Sequence, residues 1–419
     1  MSISFRSALI LTASATLLLT GCARVSAGEA QRDPGYNPDE VNTALLDTGN
    51  YATTPAAPLG NADNPQRGRL IEARRMYENA IFPFQVDPTL SNLQPLYTRP
   101  FANAKTAALA LENKTLEGPI SNHNWVAGLS ITGDNGKKPV YDTFLQNAIL
   151  LFNTPADASA AAAEMATAAN TQEDPFDHTP YSVSSQSIPR YPDAAARTYT
   201  VTITGTSSNP SPTTSYHVAS YLAHGPYVLA QDVVTNTSVD ASAELVAKTL
   251  DQQIPLIDAY KPTFADGLVA LPRDPTGLLA RMRFPDDRNA VVQNGAYGPH
   301  GALIFQTDQA WAQQLFTDTG VDFYADLDDS LIRARDKAGA TKVLETYFAR
   351  MGAAGWKEVD GVPGLPPARC MQQSAGQAGD KVNTWCMLVH DNILLQAMSN
   401  QELDAHQRLA ADFLMLTAK

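Results

Sequence analysis

Cysteine is scarce in this chain, with 3 among 419 residues, and positive charge is in short supply: 30 Lys and Arg face 43 Asp and Glu, a formal net charge of −13. Without a basic block, the chain lacks the phosphate-neutralising surface that nucleic-acid binding requires. The same shortage argues against a protein held on anionic lipid by electrostatics alone. The acidic excess reads as a solvated surface that keeps the protein soluble. Long apolar runs are missing too, since a membrane-spanning helix takes roughly 20 residues. Catalytic signatures are also absent: no Gly-x-Ser-x-Gly, Ser-x-x-Lys, His-Glu-x-x-His or phosphate-cradling loop occurs. No Cys/His cluster with zinc spacing is present, so no metal or cofactor is expected.

What remains is informative. A hydrophobic content of 44% with 17% charged residues fits a globular protein long enough for two or three domains. The three cysteines divide as one plus two. Cys22 follows Arg6 and an apolar stretch from Ala8 to Leu19, which suits a signal-peptide core. Leu19-Thr20-Gly21-Cys22 matches the bacterial lipobox, in which small residues admit the peptidase and a free thiol accepts the diacylglyceryl group. The expectation is therefore a signal peptide over 1–21, a lipidated Cys22 and an anchored protein on the extracytoplasmic face of the cell membrane. Several acyl chains hold where a single chain is marginal. Removing residues 1–21 takes Arg6 away and leaves the mature chain near −14 (−13 − 1). Outside the cytoplasm, Cys370 and Cys386 are expected to form a disulfide.

Residues 22–64 are rich in Pro, Gly, Asn and Asp, and read as the lipidated cysteine and a flexible tether. Two α+β domains should follow, over 65–262 and 263–419. Asn64 or Asp63 can cap a helix from Pro65 to Ala80, with Pro83 ending it. Asn135-Gly136 signals a hairpin between two apolar runs. From residue 147 the element order repeats: strand, helix, strand, hairpin, helix, first over 147–254 and again over 330–416. The fold class expected is α+β, with two related βαβββα units whose antiparallel sheets are packed by helices. Thr154 with Asp157, and Ser399 with Glu402, read as helix starts.

Two Asp-Thr-Gly triplets, at 47–49 and 318–320, match the residues that a two-lobed aspartic protease uses to share one proton between two carboxylates. Their contexts argue otherwise. The first lies in the tether and the second closes a helical stretch capped at Thr307, so both read as turn and helix-stop residues. His224 and His390 each precede a hairpin turn and read as solvated or locally bonded histidines. The acidic group Asp326, Asp328, Asp329 lacks the Gly and Glu of a calcium loop and reads as a solvated turn.

The stretches "LDTGNYATTP" (46–55), "GRLIEARRMYENAIFPFQVDP" (68–88), "RARDKAGA" and "PGLPPARC" (363–370) resemble a family of actinobacterial envelope lipoproteins of mycobacteria, nocardiae and their relatives. That resemblance covers roughly 40–415. It implies an N-terminal motif containing Asp47-Thr48-Gly49, and no catalytic residue, because the family's function is unknown. Each half is also loosely similar to PknH-type extracellular sensor domains, which carry more disulfides. The expected activity is non-catalytic binding of a small molecule or lipid, in a sensor-like module. The alternatives are a protein-interaction or structural role in the envelope and, more remotely, a hydrolase in which Asp318 or His224 lies in a cleft.

Overall fold

The computed structural model describes residues 40–137, 142–173, 178–203, 212–285, 291–373 and 382–419. Cys22 and the signal segment lie outside the described residues. Helix α1 (Pro65–Met76) starts as the sequence predicts: Asn64 Oδ1 accepts from Arg67 N at 2.9 Å, and Pro65 fills the first turn, where no helical hydrogen bond is lost. A 3-10 turn, Tyr77–Asn79, carries the segment on, and Pro83 then opens a short α2 (Pro83–Val86).

The rest of the first half reads β1 (Asn92–Leu93), β2 (Arg99–Pro100), α3 (Ala104–Ala110), α4 (Glu117–Ser121), β3 (Trp125–Asp134) and β4 (Thr143–Phe152). It continues with α5 (Pro155–Ala168), β5 (Ser184–Ile188), β6 (Tyr191–Ile203), β7 (Thr213–His224), β8 (Tyr227–Thr235) and α6 (Val239–Asp258). The second half reads β9 (Gly295–Tyr297), α7 (Gln309–Thr319), β10 (Phe323–Asp326), β11 (Ser330–Arg333) and α8 (Lys337–Ala353). Then come β12 (Lys357–Val359), β13 (Arg369–Gln372), β14 (Thr384–His390), β15 (Ile393–Ser399) and α9 (Glu402–Thr417).

The fold is α+β, and its two sheets have the same strand order. The first runs β1-β3-β4-β8-β7-β6-β5, with β2 beside β3; the second runs β9-β10-β11-β15-β14-β13-β12. The strand pairs in both are antiparallel. The repeat is thus larger than the expected βαβββα unit. The strand expected to open the repeat at residue 147 is the later part of the longer β4, whose apolar run starts before Asn147. A hairpin partner (β3 or β10) precedes the helix, and an edge strand (β5 or β12) follows it.

Each sheet is covered on both faces, which is why β3 and β4 are buried almost throughout instead of alternating. On the first sheet, Ala148, Leu150, Ala219, Val228 and Ala230 pack under α5, α3 and α4. Its other face meets α1 and α6 in a cluster that also holds Tyr324, Ile332, Met387 and Leu394 from the second sheet together with α7 and α8. The far face of the second sheet packs against α9. The halves therefore join through non-equivalent faces, the α6 face of one and the α8 face of the other.

The flexible tether requires correction over 40–64, while its residues 22–39 lie outside the described residues. Residues 40–64 lie along the second half as a fastened strap. Asn42 N donates to Gly364 O, Ala56 N to Ala280 O and Ala62 N to Leu271 O, each at 2.8 Å. Tyr51 Oη donates to Asp404 Oδ1 at 2.6 Å, and Gln407 Nε2 to Asp47 Oδ2 at 2.9 Å. Proline and glycine make the segment extended, and these backbone bonds hold it. Two helix starts also differ. Asp308, not Thr307, caps α7, and α9 begins at Glu402 after Gln401, whose N donates to Ser399 Oγ, so the capping box is not formed.

Candidate functional site

The residues singled out from the sequence are scattered across the fold. Cys370 and Cys386 face each other across β13 and β14, buried and joined as a disulfide. His406 lies close to both sulfurs, but the disulfide uses their lone thiolate capacity and leaves no metal set there. Asp47 Oδ1 accepts from Gly49 N within a turn, and Gly49 has φ 53° with Gln407 so close that an added Cβ would lie 2.7 Å from it. Asp318 accepts from Gln314 and Lys342, and Gly320 stops α7 at φ 62°. Their hydrogen bonds hold both carboxyls below the usual carboxylate range, through Gln407 for Asp47 and Gln314 for Asp318. A proton-sharing dyad needs one carboxyl raised by the other. His224 pairs with Asp258 at 2.6 Å, and the exposed His390 ring meets Phe413 edge-on.

The acidic group after β10 overturns its sequence reading as a solvated turn. Asp329 is buried, its side chain 2% exposed, and ion-paired to Arg283 and to Arg408 Nη2, the latter at 2.8 Å. Arg283, 5% exposed, also reaches Asp328 Oδ2 and Asp412 Oδ1, each at 3.0 Å, and Tyr51 of the strap lies under its guanidinium at 4.3 Å. Burial pushes the Asp412 carboxyl up to about 6 against the pull of Arg283. No local signal reveals this network, because Arg283 and Arg408 lie 46 and 79 residues from Asp329 in sequence.

Asp326 is different. Its carboxylate accepts from Asn294 Nδ2 at 3.3 Å, and burial pushes it up to about 7. It borders a cavity of about 330 Å³ between the second sheet and α8, lined by Phe305, Tyr324, Asp328, Tyr347, Trp385 and Gln396 among others. Asp326, Ser330 and Gln396 form one row across β10, β11 and β15. Gln396 is 3% exposed, and its Oε1 has no hydrogen-bond partner. An orphan buried acceptor calls for a bound donor.

The aromatic wall belongs to the second half and is backed by the first. Phe305 stacks on Tyr324 at 5.3 Å and meets Tyr297 edge-on, and Tyr297 contacts Tyr77 at the end of α1. Glu78 accepts from His300 N and Gly301 N, which clamps the segment carrying Phe305 to the first half. On the other side Tyr347 neighbours Trp385, and Trp311 and Trp356 flank that pair.

Two other depressions each carry arginines that are already engaged. One of about 610 Å³ under the strap is floored by the paired Arg283 and Arg408. Another of about 580 Å³ holds Arg69, which donates to Val126 O and stacks on Trp125 at 4.5 Å. No helix among the described residues is long and apolar enough to cross a membrane.

Comparison with known proteins adds family and little else. Residues 59–273 match the model of the N-terminal domain of unknown function DUF7373, and residues 276–419 match its C-terminal counterpart. Among curated proteins, no sequence matches. The crystal structure of the extracellular domain of PknH from Mycobacterium tuberculosis is similar at 12% identity and a TM-score of 0.31, over 49% of this chain and 100% of that one. A likeness of that size supports no conclusion about function.

Proposed function

This chain belongs to the DUF7373 family, whose function is unknown, and from that premise we propose that it binds a small molecule without transforming it. It does so as an extracytoplasmic module of an actinobacterial-type envelope lipoprotein, anchored through Cys22. The observation that carries the binding reading is the cavity on the second sheet, which both a buried, unpartnered Gln396 Oε1 and a sparsely bonded Asp326 border. Its volume lies at the small end of ligand pockets, and its aromatic walls are of the usual kind. Binding is favoured over hydrolysis because Asp328 and Asp329 are engaged by arginines, which leaves Asp326 without a free carboxylate partner for acid–base work.

Native mass spectrometry on the full chain, extracted from the membranes of an actinobacterial host, tests this. The expected result is a stoichiometric non-covalent mass that Trp385→Leu abolishes, on a chain whose N-terminal cysteine carries acyl groups. A protein that is always free of added mass would overturn the binding reading. An unmodified Cys22 in the membrane-extracted protein would overturn the anchor.

A further inference from the structure

Resting on that binding reading, we propose that the second-sheet cavity takes a small organic cation, an ammonium group presented to Asp326 and Gln396 and enclosed by Trp385, Tyr347, Tyr324 and Phe305. The first argument is complementarity of donors. The groups left wanting at the cavity are acceptors: Gln396 Oε1 has no partner, and Asp326 has one long bond from Asn294. A ligand rich in acceptors, such as a carboxylate or phosphate, would leave them unsatisfied and add repulsion.

The second argument is charge. Asp326, Asp328, Asp329 and Asp412 are four carboxylates against the two guanidiniums of Arg283 and Arg408. Both arginines are engaged by Asp328, Asp329 and Asp412, so neither is left to neutralise Asp326. A cation entering the cavity supplies the missing charge.

The third argument is the wall. A cation over the face of a Trp or Tyr ring gains energy from the ring quadrupole, more so when water is excluded. The rings here border the same space as the carboxylate. At about 330 Å³ the space suits a compact amine and not an acyl chain of membrane-lipid length.

The test is isothermal titration of the full chain with ethanolamine and with putrescine, using trehalose and acetate as uncharged and anionic comparators. Tryptophan emission is followed in parallel. One of the two amines is expected to bind with 1:1 stoichiometry, and both Asp326→Asn and Trp385→Leu should weaken it at least tenfold. Asp326→Asn keeps shape and removes a desolvated charge, so its melting curve checks that it folds. Amine binding that Asp326→Asn leaves unchanged would overturn the inference. So would trehalose or acetate binding that Trp385→Leu abolishes while the amines fail to bind, although the small-molecule reading would survive that result. Silence from all four ligands would overturn the inference, and the small-molecule reading would then stand or fall on the native mass measurement.

Discussion

The two halves share strand order, and their differences show where a common scaffold was opened. The β7–β8 and β14–β15 hairpins both turn through two residues, so Tyr227 corresponds to Ile393. Counting from there, Ala230 corresponds to Gln396, Ala148 to Ser330 and Ser130 to Asp326. The first sheet thus carries Ser–Ala–Ala where the second carries Asp–Ser–Gln, on the equivalent face. Small residues let alanine-rich α5 settle onto the first sheet, burying Ala158, Ala161, Ala162 and Ala166. On the second sheet α8 brings Tyr347, the row is polar, and a cavity remains. The nearest space in the first half, beside Gln231 and Asp232, is about 20 Å³, room for one water. The halves also differ in what ties their polar interiors. The first has a network of neutral amides, Asn147, Gln231 and Gln253, beside the Glu72–Arg75 pair, while the second gathers its buried ions around Arg283.

That contrast can be broken at several points. The largest effect is expected from Arg283→Met, which strands Asp412 in the interior, leaves Asp329 to Arg408 alone and should cost about 3–5 kcal/mol in urea unfolding. Next comes pH. The folded Asp326 carboxyl titrates near 7 against about 3.9 in the unfolded chain, so the folded state holds the extra proton between those values. Its contribution is complete below about pH 4 and is lost as pH rises to about 7, and Asp412 adds a similar decline ending near 6. Stability should therefore fall between pH 5 and pH 8 by at most about 3 kcal/mol from Asp326, and Asp326→Asn should flatten the slope.

Removing the disulfide with Cys370→Ala and Cys386→Ala should cost about 3 kcal/mol in the second half. In the first half, Gln253→Leu leaves Asn147 Nδ2 and Ile81 N without an acceptor they now use, at about 1–3 kcal/mol. The smallest effect is Gly49→Ala, about 1 kcal/mol for the positive φ, which should loosen the strap in hydrogen exchange without altering the sheets.

Alternation of apolar and polar residues made the repeat legible, together with the starts of α1 and α5, where Asn64 and Thr154 accept from backbone amides. The single β4 was harder to read, because a strand buried on both faces loses its period. The strap was misread because Pro, Gly and Asn mark an extended chain whether or not partners such as Gly364 and Ala280 are waiting for it. The site left less trace. Asp326 and Gln396 lie 70 residues apart (396 − 326), and only strand register joins them through Ser330. An acidic turn in sequence carries no mark of the arginines that bury it.

The central claim is that the second sheet holds a ligand cavity at the register row the first sheet seals. Soaking crystals of the full chain in a library of small fragments tests it most directly. The account predicts fragments bound between Asp326, Gln396 and Trp385, and none over Ser130, Ala148 and Ala230. Fragments that bind elsewhere and leave that row empty would contradict it.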